Sequence, residues 1–277
     1  MAEVKAWGAA LRRDGRTLAL VPTMGYLHDG HLSLMREGRR RADGVATSIF
    51  VNPTQFGPKE DLARYPRDLE GDLAKCASAG VDVAFAPAEP GVMYPPGYQT
   101  YVEVTEVSKG LCGERRPGHF RGVATIVTQL LCLFRPDVAL FGEKDYQQLQ
   151  VIKALNRDLH LGVEILGMPT VREPDGLAMS SRNAYLSAEE RRRALSLSRG
   201  LGAAQALSRA GTTDAAALTE AVRRELRAAD LREDYVELVD AERLTPLATL
   251  QPGQPARLLV AAFCGTTRLI DNQPIGG

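Results

Sequence analysis

The sequence predicts an α/β fold: a parallel sheet with helices on both faces, then a smaller C-terminal α+β domain. Three observations predict it. Apolar strand-like runs alternate with helical patterns of ten or more residues over the first two thirds of the chain, the mark of right-handed βαβ units. After Arg182 the character changes to charged, alanine-rich helical stretches. The length of 277 residues suits one large and one small domain. The boundary is placed near residue 174, giving domains 1–174 and 175–277.

The elements follow in order. Thr17–Val21 is an apolar run that stops at Pro22, and a glycine-containing turn leads to a helix over 30–43. Val45–Val51 is the second strand and ends in the turn Asn52-Pro53-Thr54-Gln55. A helix is expected to start near Pro66, since proline is tolerated in a first turn, and to stop at Gly80. Val81–Ala86 is a third strand, and Thr100–Val104 alternates as an extra, partly exposed one. A helix over 122–134, the buried strand Asp137–Gly142, a helix over 145–160 and the strand Val163–Leu166 close the series. In the second domain Ser187-Ala188-Glu189-Glu190 is a capping box. Helices over 187–209 and 213–229 precede two strands, Tyr235–Val239 and Ala256–Phe263.

Composition narrows the function. Lys+Arg and Asp+Glu are equal at 34, so the formal net charge is zero. That disfavours a general binder of nucleic acid or anionic membrane, which needs a basic excess. The clusters Arg39–Arg41 and Arg191–Arg193 fall in helical patterns and read as solvated faces. The cysteines Cys76, Cys112, Cys132 and Cys264 are dispersed with no CxxC, and Cys76 and Cys132 sit among apolar neighbours as small hydrophobes. With no secretory pattern and no apolar run of about 20 residues, a reduced cytoplasmic protein is expected.

The chemistry concentrates at strand ends. His28-Asp29-Gly30-His31 lies where the first strand hands over to a helix, the place where open parallel sheets bind ligands. A helix start there offers N–H groups and partial positive charge to an anion. Zinc is a second reading of the pair, but no cysteine lies beside it to complete a site. Asn52-Pro53-Thr54-Gln55-Phe56 offers amides to a hydroxy acid, or is simply a proline turn. In Phe141-Gly142-Glu143-Lys144-Asp145-Tyr146-Gln147-Gln148, Asp145 can cap a helix, Lys144 projects a point charge, and Gln148 follows one turn later on the same side. Arg115–Gly122 is a basic loop that either supplies charge over a nucleotide, or at a subunit contact, or is solvated. Met179-Ser180-Ser181-Arg182-Asn183 combines hydroxyls and a guanidinium as triphosphate binding requires, or is a serine-rich linker. Neither GxxxxGK(S/T) nor a GxGxxG after the first strand is present, which disfavours P-loop and dinucleotide enzymes.

Taken together, these segments resemble the pantothenate synthetase (pantoate–β-alanine ligase) family of the HxGH nucleotidyltransferase superfamily. The matching stretches are Pro22–Gly25 with His28 and His31, Asn52–Phe56, Arg116–Phe120, Phe141–Gln148, and Arg172-Glu173 through Met179–Asn183, in family order over most of 17–186. Tyr26 stands where the family often has alanine and Asp29 where it often has glutamate, which touches only the pocket wall. The resemblance implies a Rossmann-like first domain binding nucleotide and pantoate, a C-terminal lid domain and a homodimer. It implies ATP-dependent condensation of pantoate with β-alanine through pantoyl adenylate. By the same resemblance, His28, His31, Lys144 and Arg182 are catalytic. Met24, His31, Gly142, Lys144, Asp145, Val171, Met179, Ser180, Ser181 and Arg182 contact ATP. Gln55, Gln148 and Met24 contact pantoate. Mg²⁺ accompanies ATP, with Asp72 as a weak protein-side candidate. Two rivals stand beside this reading: an HxGH nucleotidyltransferase with another acceptor, and a nucleotide-sensing module without chemistry. Paired glutamines argue against a phosphate acceptor, and the full set of His28, His31, Lys144 and Arg182 argues against a mere sensor.

Overall fold

A computed structural model describes residues 1–58 and 60–276. The elements are α1 (Ala2–Arg13), β1 (Leu18–Thr23), α2 (Asp29–Arg41), β2 (Gly44–Ile49), α3 (Leu69–Ser78), β3 (Val83–Phe85), α4 (Leu111–Arg115), α5 (His119–Phe134), β4 (Val138–Gly142), α6 (Tyr146–Asp158), β5 (Glu164–Met168), α7 (Ala188–Ala194), α8 (Ser196–Arg209), α9 (Ala215–Ala228), β6 (Arg232–Asp240), β7 (Ala256–Cys264) and β8 (Thr267–Ile275). The chain divides into two compact units. One comprises residues 1–143 and 148–169, the other residues 144–147 and those from Thr170 onward.

In the first unit five parallel strands run in the order β3-β2-β1-β4-β5. The order reverses between β1 and β4, so the loops after these two strands leave at the topological switch point. Leu18–Val21 and Val138–Phe141 are buried, as strands covered on both faces must be. Helix α2 packs close to β1 because Gly38 carries no side chain: a Cβ there would come 3.2 Å from that of Ala19.

The second unit is a three-stranded antiparallel sheet, β6-β7-β8, packed with α8 and α9. Leu197, Leu201, Leu218, Val222, Leu258, Val260, Leu269 and Ile275 form its core.

Several elements differ from expectation for local reasons. Helix α1 was not anticipated. Residues 100–104 form no strand: the Val102 N–H is satisfied by the Thr125 hydroxyl at 3.0 Å rather than by a neighbouring strand. Helix α3 starts at Leu69, not Pro66, because the Asp68 carboxylate caps it, accepting from the Gly71 N–H at 3.0 Å. The long helix expected over 187–209 is two, α7 and α8, divided at Leu195. Strand β8 went unread because Asp271-Asn272-Gln273-Pro274 interrupts its apolar alternation. Cys132 is exposed, not packed, whereas Cys76 is buried, which pushes its thiol up to about 11. Among the described residues no helix is long and apolar enough to cross a membrane.

Candidate active site

The turn after β1 needs unusual backbone: Gly25 has φ +82° and Tyr26 has φ +50°, the left-handed region that glycine enters at least cost. His28 is the extended residue preceding α2, and His31 lies in the first turn. The His28 N–H donates to His31 Nδ1 at 3.3 Å, and the ring centroids are 4.0 Å apart. With Nδ1 accepting, the neutral His31 ring carries its proton on Nε2, the arrangement that donates to an anion.

Helix α3 holds this turn in place. Asp72 is only 1% exposed, and its two oxygens accept the Tyr26 and Leu27 N–H groups, each at 2.7 Å. Lys75, one turn on, donates to the Leu27 carbonyl at 2.9 Å. Asp72, expected as a weak magnesium contact, is thus engaged with backbone. Among the described residues no three His, Cys, Asp or Glu side chains converge as a metal site, so neither a zinc site around the histidines nor an all-protein magnesium cage is built.

The turn after β2 brings together two residues assigned to the acid substrate. Gln55 Nε2 donates to the Met24 sulfur at 3.0 Å, and Asn52 Nδ2 donates to Gln55 Oε1 at 3.0 Å. Asn52 also donates to the Gly122 carbonyl at 3.1 Å and accepts from the Tyr94 hydroxyl at 2.8 Å. The Arg115–Gly122 loop turns out to be a clamp on this turn. Arg116 pairs bidentately with Glu60 at 2.8 and 2.6 Å and donates to His119 Nε2 at 2.9 Å. A guanidinium only donates, so His119 Nε2 accepts and its Nδ1–H donates to the Gln55 carbonyl at 2.9 Å. Burial alone would raise the Glu60 carboxyl, but the Arg116 hydrogen bonds and charge hold it below its ordinary range. Gly122 permits the approach: a Cβ there would lie 2.4 Å from the Thr54 carbonyl oxygen. If Gln55 contacts pantoate, as the resemblance implies, Gly122→Ala is expected to raise the pantoate KM about tenfold or more while the ATP KM stays within about twofold, checked by steady-state kinetics against each substrate.

Of the remaining residues, Gly142 ends β4 and Gln148 lies on α6, both in the first unit. In the second unit Lys144 and Asp145 share a 3₁₀ turn, with Nζ 3.8 Å from the Asp145 carboxylate. The Met179 N–H donates to the Val171 carbonyl at 3.0 Å, setting two of the residues expected to contact ATP beside each other. Ser180 accepts from the Arg182 N–H at 3.3 Å and caps the 3₁₀ turn Ser181–Tyr185. Asn183 donates to Glu173 at 2.8 Å, and Arg191 pairs with both Glu173 and Asp175, so Met179–Asn183 is a braced loop rather than a linker.

Sequence reasoning missed the bracing roles of Asp72, read as a metal contact, and of His119, read only as part of a basic loop. It also passed over the polar Asp271-Asn272 pair, whose side chains are buried in β8 and bonded to Arg172 and Arg257.

Residues 1–274 match the family model "Pantoate-beta-alanine ligase". The chain is 79% identical to a pantothenate synthetase of Myxococcus xanthus, over 100% of this chain and 95% of that one. It is 63% identical to one of Anaeromyxobacter dehalogenans, over 96% and 95%. Its fold is similar to the crystal structure of pantothenate synthetase from Thermus thermophilus, with TM-score 0.93, 48% identity, and coverage of 99% and 98%. It is also similar to the pantoate-beta-alanine ligase of Francisella tularensis complexed with beta-gamma ATP and beta-alanine, with TM-score 0.80, 33% identity, and coverage of 98% and 95%. With the family model matched over nearly its whole length and a close relative aligned end to end, the chain belongs to the pantoate–β-alanine ligase family.

Proposed function

We propose that this ligase condenses pantoate with β-alanine at the expense of ATP, releasing AMP and pyrophosphate. A carboxylate is a poor acylating agent, so it is first activated. A pantoate carboxylate oxygen attacks the α-phosphorus, the bond to the β-phosphate oxygen breaks, and pyrophosphate leaves. The β-alanine amine then attacks the acyl carbon of pantoyl adenylate, and AMP departs with the electron pair of the acyl–oxygen bond as the amine loses a proton.

Charge builds on phosphate oxygens in the first step, so donors set in advance lower its barrier. His31, through Nε2–H, and His28 serve there, with the α2 N-terminus behind them. Lys144 and Arg182 hold phosphate oxygens, helped by Ser180 and Ser181. Gly142 and Asp145 lie by the ribose, and Val171 and Met179 by the adenine. Gln55 and Gln148 hold the pantoate hydroxyls and carboxylate against Met24, which also borders the ATP. Mg²⁺ would be bound together with the triphosphate and would neutralise part of its charge. The family resemblance also implies a homodimer acting in the cytoplasm; light scattering of the purified protein checks the dimer.

The observation that carries this reading is the Gln55–Met24 pair in the same unit as the His28–His31 turn. A neutral amide against a thioether suits a hydroxy acid, not a phosphate acceptor. The test is pyrophosphate release. It should require ATP and pantoate, proceed to a single turnover without β-alanine, and become catalytic when β-alanine is added. An acid lacking pantoate's hydroxyls should show kcat/KM at least about 10²-fold lower, because buried amides are left unpaired. Equal use of the deoxy acid would remove the glutamines from this role.

A further inference from the structure

Asp271 and Asn272 are adjacent on β8, and successive side chains of a strand point to opposite faces. Leu269 and Ile275 belong to the core with α8 and α9, so Asp271 shares their face and Asn272 takes the other. Each is only 3% exposed, and each reaches out of the sheet to a different segment.

Asp271 takes Arg172 bidentately, at 2.6 and 2.9 Å. Arg172 bridges to Ala178, and the chain runs on from there through Met179 into Ser180-Ser181-Arg182. Asn272 Oδ1 accepts from Arg257 Nε at 2.7 Å. Because a guanidinium only donates, the amide orientation is settled and Nδ2 faces the Lys144 carbonyl, 2.9 Å away. Arg257 itself lies over the Tyr146 ring, 4.1 Å from its centroid, and the Tyr146 hydroxyl donates to the Ala241 carbonyl at 2.9 Å. The Lys144–Tyr146 turn is therefore tied to β7 and β8, and the Ser180–Arg182 loop is tied at its base to the same point of β8.

We infer that Asp271 and Asn272 are positioning residues for adenylation, Asn272 setting Lys144 and Asp271 setting the Ser180–Arg182 loop; this rests on the phosphate role proposed above for Lys144 and Arg182. Neither touches substrate. Two cations that must meet one triphosphate, 38 residues apart in sequence, are aligned from two consecutive positions of one strand.

The test uses Asn272→Asp, which keeps shape and the acceptor for Arg257 but replaces the donor facing the Lys144 carbonyl with a carboxylate oxygen. Asn272→Ser, which shortens the side chain without adding charge, is the second variant should the first fail to fold. Single-turnover pyrophosphate release from ATP and pantoate should slow about tenfold, the scale expected when a catalytic group is slightly misplaced. Consumption of preformed pantoyl adenylate by β-alanine should stay within about twofold. In a Lys144→Ala background the Asn272 substitution should add nothing, since residues acting through one group are non-additive. Asp271→Asn should behave the same way against Arg182→Ala. Wild-type adenylation in the Asn272 variants, equal loss in both half-reactions, or full additivity with Lys144→Ala overturns the inference. If Lys144→Ala itself adenylates at the wild-type rate, the phosphate assignment has failed and the inference falls with it. If Lys144→Ala is slow and Asn272→Asp is not, the positioning role alone has failed.

Discussion

His28→Ala and His31→Ala are each expected to fold and to adenylate pantoate about 10²–10³ times more slowly, the cost of removing one donor aimed at transition-state charge. The magnitudes separate this from a loss of helix stability. His28 precedes α2, and a poorer residue at that position costs about 1 kcal/mol, small against the 5–15 kcal/mol that holds a typical domain. A hundredfold loss of rate is about 2.7 kcal/mol of barrier and does not arise from fraying alone. His28→Asn, a good residue for the same backbone position, should restore the melting temperature but not the rate. For His31 the substitution also leaves the His28 N–H without its ring acceptor, so a modest fall in melting temperature is expected beside the rate loss. Thermal unfolding by circular dichroism and single-turnover pyrophosphate release measure the two quantities independently. Near wild-type rates in both alanine variants would remove the histidines from the mechanism.

Lys144→Ala should separate the two half-reactions. In the role proposed for it, Lys144 sets its charge against the β- and γ-phosphates and the departing pyrophosphate, and the second step contains no triphosphate. Formation of pantoyl adenylate is expected to fall on the order of 10²-fold or more, and its consumption by β-alanine far less. One arm mixes enzyme, ATP and pantoate and follows pyrophosphate; the other supplies preformed pantoyl adenylate with β-alanine and follows pantothenate. Equal losses would mean that Lys144 acts on the part common to both steps, or on the integrity of the site. Its charged neighbour Asp145, 3.8 Å away, is 49% exposed, so removal of the lysine leaves no buried charge unpaired and little effect on stability is expected.

The parallel sheet was legible because buried strands and amphipathic helices carry their own periods. β1, β2, β4 and β5 fall where apolar runs end at glycine, proline or asparagine. The two histidines were legible for the same reason, since the strand-to-helix switch that exposes them is a local pattern. Where polar residues interrupt a strand, as at Asp271-Asn272 in β8, the period is lost and the element with it. At 100–104 the reverse occurred: alternation was present, but a strand needs a partner, and Thr125 supplied the hydrogen bond instead.

By itself, then, the sequence determined which residues are candidates for the chemistry and the elements on whose ends they sit: His28 and His31 at the start of α2, Gln55 after β2, Lys144 after β4, and Ser180–Arg182 in a polar loop. Only the tertiary structure decided what holds each of them. Asp72 and Lys75 grip the turn before His28, His119 and Gly122 set the turn of Gln55, and Asp271 and Asn272 anchor the segments of Arg182 and Lys144. Most of these contacts join a side chain to backbone 45 to 128 residues away, and the Asp271–Arg172 pair spans 99. They have no period and no spacing rule, because the backbone group they satisfy is the same in every residue. Which amide or carbonyl is left without a partner is known only once the chain has closed on itself.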